Sequence, residues 1–343
     1  MRIRRQTLLS LATAAALLAG CGSDETHVTV MTRNLYLGAD LTPAFFAATP
    51  QDLLEVTTAI WAMVNENDFT DRAKALAAEI AAEGPDLVGL QEVALWRTQS
   101  PSDGPTTQAT TVAFDFLARL LSELSARGLT YTAVETLELS DVELPVVDGA
   151  TLMDVRFTDR DVILAREGVS TSSPQGTVYA TLLSVGVAGT TLTVRRGFTR
   201  VSAAFGGQPI TFVNTHLEAE SGAVRTAQAA ELVASLEQES GRVILVGDLN
   251  SLPGSQGHLA ATTAGFTDAW SATHGQAPGL TCCWPADLSL TTPPLDKRID
   301  LVLTRGALRP SSATIVGDET ADRTAAGRWP SDHAGLAATV EVR

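Results

Sequence analysis

The chain has 343 residues, 45% of them apolar and only 18% charged. That balance supports a sizeable core and excludes a disordered chain or a coiled coil. The formal net charge of −15 opposes nonspecific binding to nucleic acid, which needs a basic surface. It leaves room for a nuclease whose divalent cation screens a local acidic patch.

The first element is a leader. MRIRRQ is basic, and TLLSLATAAALLAG is an apolar run too short to span a bilayer. It ends in LLAGC, which resembles the bacterial lipobox, with Ala19 and Gly20 just before Cys21. The resemblance implies cleavage after residue 20 and lipidation of Cys21. A plain secretory signal with a chance cysteine is the alternative. Residues 21–27 then form a lipidated tether, and residues 28–343 the folded domain. Such an anchor places an exported protein on a membrane face and leaves its fold soluble. Removing the leader also removes Arg2, Arg4 and Arg5, so the mature chain is more acidic still. No other segment approaches the length of a membrane-spanning helix.

VTVMTRNLYL reads as a strand and a loop. DLLEVTTAIWAMV and DRAKALAAEIAAE carry apolar residues at helical spacing. PDLVGLQEV is a strand opened by proline, and LWRTQSPSDGPTTQAT is turn-rich and reads as a loop. VAFDFLARLLSELSARG reads as one helix stopped by glycine. A β-rich middle follows: YTAVETLEL, DVILAREGV, TVYATLLSV, TLTVRRGFTRVSAAF and PITFVNTHL. AVRTAQAAELVASLEQ is a further helix, and RVILVGDLNS, RIDLVLTRG and GLAATVEVR complete the strands. With no long linker and no repeat, this is one domain of many strands with helices outside. Cys282 and Cys283 are compatible with a vicinal disulfide or with two buried thiols, and no Cys/His cluster has zinc spacing.

The informative pattern is positional. Apolar strands repeatedly end in acid, amide or imidazole groups: Asn34, Gln91 with Glu92, Asn214 with His216, and Asp248 with Asn250. Asp300 opens a strand, and Asp332 with His333 precedes the last one. Loops at strand ends are where sites gather. Each residue alone has an ordinary reading. Asp248 and Asn250 are common turn formers, Glu92 and Asp332 can cap, His216 can be a satisfied core histidine, and Asp300 can pair on the surface with Arg298. Together, six such groups at strand ends point to one site.

In this order Asn34, LQE (90–92), NTHL (214–217), GDLNS (247–251), RID (298–300) and SDH (331–333) resemble the endonuclease/exonuclease/phosphatase superfamily. The resemblance implies a four-layer α-β-β-α sandwich of two mixed sheets, the deoxyribonuclease I-like fold. It also implies hydrolysis of a phosphate ester by water with Mg²⁺, or Mn²⁺ or Ca²⁺ in its place. On that reading Glu92 leads the metal ligands, with Asn34 and Asp332 adding oxygens directly or through water. Asp248 orients or deprotonates the water. Asn250 donates to phosphate and holds Asp248, both side chains facing one way from an extended segment. His333 stabilises the transition state or moves a proton, and Asp300 orients its ring. His216 is a second phosphate-contacting or acid–base histidine, and Asn214 lies beside it at the substrate. Arg160 or Asp161 faces phosphate, or is an ordinary turn charge. Trp284 and Trp329 line the cleft or pack in the core.

The branch of the superfamily is less defined. NTHLEAES lacks the tyrosine and Pro-Asn pattern of AP endonucleases and is closer to deoxyribonuclease I, 5-phosphatases and sphingomyelinases. No aromatic-basic stripe for single strands is visible. A phosphodiesterase or phosphatase, a secreted nuclease, a phospholipid headgroup hydrolase and a non-catalytic binding module are therefore the alternatives. The chain is expected to be a monomer whose only nucleic-acid partner would be a substrate. Loops 95–111 and 136–160 are expected to carry specificity.

Overall fold

The computed structural model describes residues 26–343 apart from Pro293. The leader, Cys21 and most of the tether lie outside the described residues. The first sheet takes β1 (Thr26–Asn34), β2 (Leu87–Gln91), β3 (Leu95–Gln99), β4 (Thr111–Asp115), β5 (Tyr131–Asp148) and β6 (Thr151–Arg166). The second takes β7 (Thr171–Val178), β10 (Gly197–Phe205), β11 (Gln208–His216), β12 (Arg242–Asp248), β13 (Thr267–Asp268) and β14 (Asp300–Arg305). A separate hairpin joins β8 (Leu183–Val187) to β9 (Thr190–Val194). Finally β15 (Leu308–Val316) and β16 (Gly335–Val342) return to the first sheet.

The first sheet runs β15–β16–β1–β2–β6–β3–β4, with β5 on the free edge of β6. The second runs β13–β14–β12–β11–β10–β7. Both are mixed: β1 pairs parallel to β2, and β11 parallel to β12, among antiparallel neighbours. Helices α1 (Pro50–Glu66), α2 (Phe69–Glu83) and α3 (Phe116–Ala126) cover the first sheet, where Trp61, Leu76, Ile80 and Leu120 meet Met31, Val88 and Leu90. Helices α4 (Gly222–Leu236) and α5 (Gln256–Thr263) cover the second, where Leu232 and Ala261 meet Val213, Leu245 and Leu303. The short α6 (Ala269–His274) closes one edge. This is the four-layer α-β-β-α sandwich.

Strand periodicity explains the middle layer. Successive side chains point to opposite faces. Val28 and Val30 of β1, Ile163 and Ala165 of β6, Ile210 and Phe212 of β11, Ile244 and Val246 of β12, and Val302 of β14 all fill the space between the sheets. Continuing each strand by steps of two brings Asn34, Asp161, His216, Asp248 and Asp300 onto the same inner face. The site is thus the polar end of the inter-sheet layer.

Several elements differ from the sequence reading. The stretch 112–128 is not one helix, because the Asp115 carboxylate accepts from the N–H groups of Leu117 and Ala118 and starts α3 there. Residues 111–115 instead pair with β3, itself inside the expected loop and held by the buried Trp96. The expected loop 136–160 is the long β5–β6 hairpin. TLTVRRGFTRVSAAF divides into β9 and β10.

Two buried polar clips fix the site end. Arg72 donates to the carbonyls of Leu35, Tyr36, Asn67 and Pro330, tying the loop after β1 to the loop before β16. Asn214 joins the two sheets: Oδ1 accepts from Gln91 Nε2 at 2.5 Å, and Nδ2 donates to the carbonyls of Leu90 and Val162. Gly89 makes the room, since a Cβ there would lie 2.6 Å from Asn214 Oδ1. Asn214→Ala therefore strands buried donors and acceptors. It should lower stability by about 2 kcal/mol in urea denaturation. An unchanged midpoint and slope would refute the clip.

Candidate active site

Asp248 ends β12 at the centre of the site and is 1% exposed. Gly247 before it is dictated by close approach: φ is +150°, and a Cβ would sit 2.0 Å from the Thr215 carbonyl oxygen of β11. Asp248 Oδ1 accepts the backbone N–H of Asn250 at 2.8 Å, and Oδ2 accepts Asn34 Nδ2 at 3.2 Å. Two imidazoles flank Oδ2, His216 Nε2 at 3.5 Å and His333 Nε2 at 3.7 Å.

The two histidines have opposite electrostatic surroundings. His333 Nδ1 lies 2.9 Å from Asp300 Oδ2. Burial works against its charge, but Asp300, Asp248 and Asp332 together raise its pKa well above the ordinary value. His216 Nδ1 lies 2.8 Å from Arg196 Nη1, which can only donate. Its proton therefore sits on Nε2, facing Asp248. Burial, then Arg196 and His333, lower its pKa well below the ordinary value.

Glu92 follows β2 in the left-handed region at φ 57°. Its Oε1 accepts Asn34 Nδ2 at 3.0 Å and its Oε2 accepts the N–H of Leu37 at 2.8 Å. Asp332 is half-buried and faces the same cavity. Burial pushes Asp332 up to about 7, with His333 opposing and Glu92 adding to the rise. Burial and then Asp300 likewise push Asp248 up to about 7, against His333. Such a surplus of carboxylate oxygens fits a hard divalent cation, which restores the ionised forms. Glu92 and Asp332 are the residues that fit it. Asp248, Asp300 and His333 also cluster closely, with the His333 ring held by Asp300.

Four expectations change in detail. Asn34 does not present an oxygen to a cation: its Oδ1 accepts the Tyr36 N–H, so its nitrogen faces Glu92 and Asp248 and fixes both. Asn250 does not lie in an extended segment. It has φ 45°, holds Asp248 through its backbone, and its Nδ2 donates to the Leu217 carbonyl while lying 3.2 Å from His216 Nε2. Asn214 does not face substrate, because its amide is spent between the sheets. Arg160 points to the outer face, where it pairs with Asp115 at 2.6 Å and donates to the carbonyls of Val93 and Ala94, directly after Glu92. Trp284 and Trp329 are buried against each other, with ring centres 4.6 Å apart, and Trp284 also lines the cavity. The Cys282 and Cys283 sulfurs are joined as a vicinal disulfide.

Sequence reading missed Arg196 and Asp159, which pair at 3.3 Å beside His216. Burial pushes Asp159 up to about 6, against Arg196. Neighbouring Asp161 is fully buried with neither oxygen hydrogen-bonded, and burial and Asp159 raise it well above the carboxylate range. The two-residue step back from Ile163 was the available signal: it selects Asp161 and Asp159 and rejects Arg160.

Comparison with known proteins agrees with the geometry. The model of the Endonuclease/Exonuclease/phosphatase family matches residues 61–333. No curated protein matches by sequence. Among solved structures, an endonuclease/exonuclease/phosphatase family protein from Bacteroides thetaiotaomicron is 15% identical with a TM-score of 0.60, over 93% of this chain and 99% of that one. The endonuclease/exonuclease/phosphatase from Beutenbergia cavernae is 22% identical with a TM-score of 0.54, over 92% and 72%. D. rerio TDP2 complexed with single-strand DNA product is 18% identical with a TM-score of 0.52, over 92% and 99%. These likenesses show the shared fold.

The histidines give a direct test in metal-free protein. At pH 6.5 the imidazole carbon shifts should report His333 charged and His216 neutral; matching shifts would refute the assignment. The linkage signs follow. His333, with a raised pKa, contributes stability that is full below about 6.5 and is lost as pH rises through its folded value. His216, with a lowered pKa, contributes stability that is lost as pH falls below about 6.5.

Proposed function

The chain belongs to the endonuclease/exonuclease/phosphatase family, metal-dependent hydrolases of phosphate esters, and we propose that it is an exported, lipid-anchored, Mg²⁺-dependent phosphodiesterase. One observation carries the reading. A single buried carboxylate, Asp248, is set between His216, which faces Arg196, and His333, which faces Asp300, at the wall of a cavity that Glu92 and Asp332 also line.

Asp248 is the group that orients the attacking water and takes its proton. Its place beside both imidazoles suits a general base. Asn34 and the Asn250 backbone aim its two oxygens. His333, charged and locked by Asp300, donates to the phosphate oxygens as negative charge develops. His216 donates Nε2–H toward Asp248 and keeps that carboxylate in place. Glu92 and Asp332 would hold the cation, which would supply Lewis-acid charge at the phosphate. Asn250 closes the phosphate side beside His216. Arg160 acts at a distance by fixing the backbone that follows Glu92.

Hydrolysis of bis-p-nitrophenyl phosphate should vanish with EDTA and return with Mg²⁺; activity indifferent to chelation would sink the metal role. His333→Ala and Asp248→Asn should each lower kcat by about 10²–10⁴ with an unchanged circular dichroism spectrum. Near-wild-type turnover in either variant would remove that residue from the mechanism.

Export and anchoring rest on the leader and LLAGC. In cells fed labelled palmitate, the full chain should take up label and Cys21→Ser should not. Equal labelling of both would disprove lipidation at Cys21.

A further inference from the structure

The cavity that holds the site is larger than phosphate chemistry needs. It measures about 880 Å³, near the top of the range for small-molecule sites. Its lining mixes the polar site residues with a group of apolar side chains. Val142 and Leu144 come from β5, Phe157 from β6, Leu192 from β9, and Ile60 and Trp61 from α1. Trp61, Trp96 and Phe157 pack into one aromatic floor, with ring centres 5.9 and 4.8 Å apart. These rings are buried.

The shape is built, not incidental. Thr57 of α1 donates to the Pro145 carbonyl of β5, and Thr58 accepts the Val147 N–H, so α1 and the hairpin form one wall. The β8–β9 hairpin is fastened by Ala188 N–H to the Ala47 carbonyl and brings Leu192 across from it. Burying this much apolar wall requires an apolar occupant, because water in such a groove is poorly held.

Charge narrows the occupant further. Along the lining, Asp40, Glu218 and Glu220 join the site acids, while Arg225 and Lys297 stand apart from any basic track. A polyanionic strand would meet repulsion on both sides of the scissile phosphate. A lone phosphodiester with one hydrocarbon arm would not.

We propose that the substrate is an amphiphilic phosphodiester whose hydrocarbon arm lies in the groove between α1, the β5–β6 hairpin and β9. The inference rests on the phosphodiesterase reading and adds the class of substrate to it. Groove and reacting centre share one cavity, so the arm is fixed relative to the phosphorus by the same walls.

The experiment uses p-nitrophenyl phosphodiesters of methyl, hexyl and dodecyl alcohols, held below micelle formation, with Mg²⁺. A fully buried methylene favours binding by roughly fourfold. kcat/KM should therefore rise at least about tenfold from methyl to hexyl. Leu144→Gln and Leu192→Gln should flatten the series. The readout is the dodecyl-to-methyl ratio, which does not depend on the fraction folded. Dodecyl phosphate should shift tryptophan emission through Trp61 and Trp96, and inorganic phosphate should not. A flat series with the methyl ester turned over would overturn the groove and leave the phosphodiesterase reading intact. If no ester is turned over, that reading fails, and the emission shift alone decides whether the groove takes a hydrocarbon. Plasmid nicking faster than dodecyl ester hydrolysis would overturn the proposal in favour of a nuclease.

Discussion

The two-residue period of the strands governs this protein. It places apolar side chains between the sheets over most of their length and polar ones at a single end. In β12 the same step that buries Ile244 and Val246 delivers Asp248. In β11 it carries Phe212 to Asn214 and His216, and in β14 it leads from Val302 back to Asp300. The strand ends bring Asn34, His216, Asp248 and Asp300 together, and the loops after β2 and before β16 add Glu92, Asp332 and His333. Pairing then sets the lateral order: His216 stands opposite Asp248, and Asp248 opposite Asp300, in the ladders of the second sheet. A slip of one residue in any of these strands would turn its functional group outward and its apolar set into solvent.

That placement has an electrostatic consequence. Carboxylates at the end of a dry layer lose water and face one another. Asp248, Asp159 and Asp161 are all pushed up by burial. Two cations inside the layer, His333 and Arg196, offset part of the repulsion, each bound to an aspartate. Arg196 also explains why two histidines a few ångströms from the same carboxylate differ. It stands against His216 and drives it neutral, while Asp300 stands against His333 and keeps it charged. One aspartate between two imidazoles thereby gains a distinct neighbour on each side, the arrangement that acid–base chemistry exploits.

Much of this was legible in the sequence, and the reasons differ by residue. The four layers were implied by the resemblance that the order of the motifs carries; the strand and helix patterns alone gave one domain of many strands with helices outside. Glu92, His216, Asp248, Asp300, Asp332 and His333 were legible because each follows or precedes an apolar strand at a fixed offset. Asn214 was misplaced because NTH puts two polar residues on one inner face, and only depth separates them: His216 reaches the open end, while Asn214 lies one step further in, over Gly89. Arg160 and Asp161 stood as alternatives, and the strand's own alternation turns Asp161 inward and Arg160 out. Arg196 was hidden because it sits between β9 and β10, where no period assigns a face. Asn34 was placed correctly, but which end of its amide faces the site depends on the Tyr36 N–H, a turn contact invisible in sequence.

The division between a fixed centre and a variable wall follows from how each is held. Around the centre, buried clips over-determine the geometry: Arg72 grips four carbonyls, Arg33 pairs with Glu79 and reaches the His333 carbonyl, and Asn214 spans the sheets. Changing any of them leaves a buried polar group without a partner, which costs more than the bond gained. The groove wall is tied differently: Thr57 and Thr58 join α1 to the β5–β6 hairpin, while Ile60, Val142, Leu144 and Leu192 are only partly buried. Such a wall can change residue by residue without loss of the fold. The chemistry of the centre is therefore constrained by hydrogen-bond satisfaction, while the choice of substrate is constrained only by shape and polarity. The choice of substrate arm is thus set in the part of the cavity that lies beyond these clips.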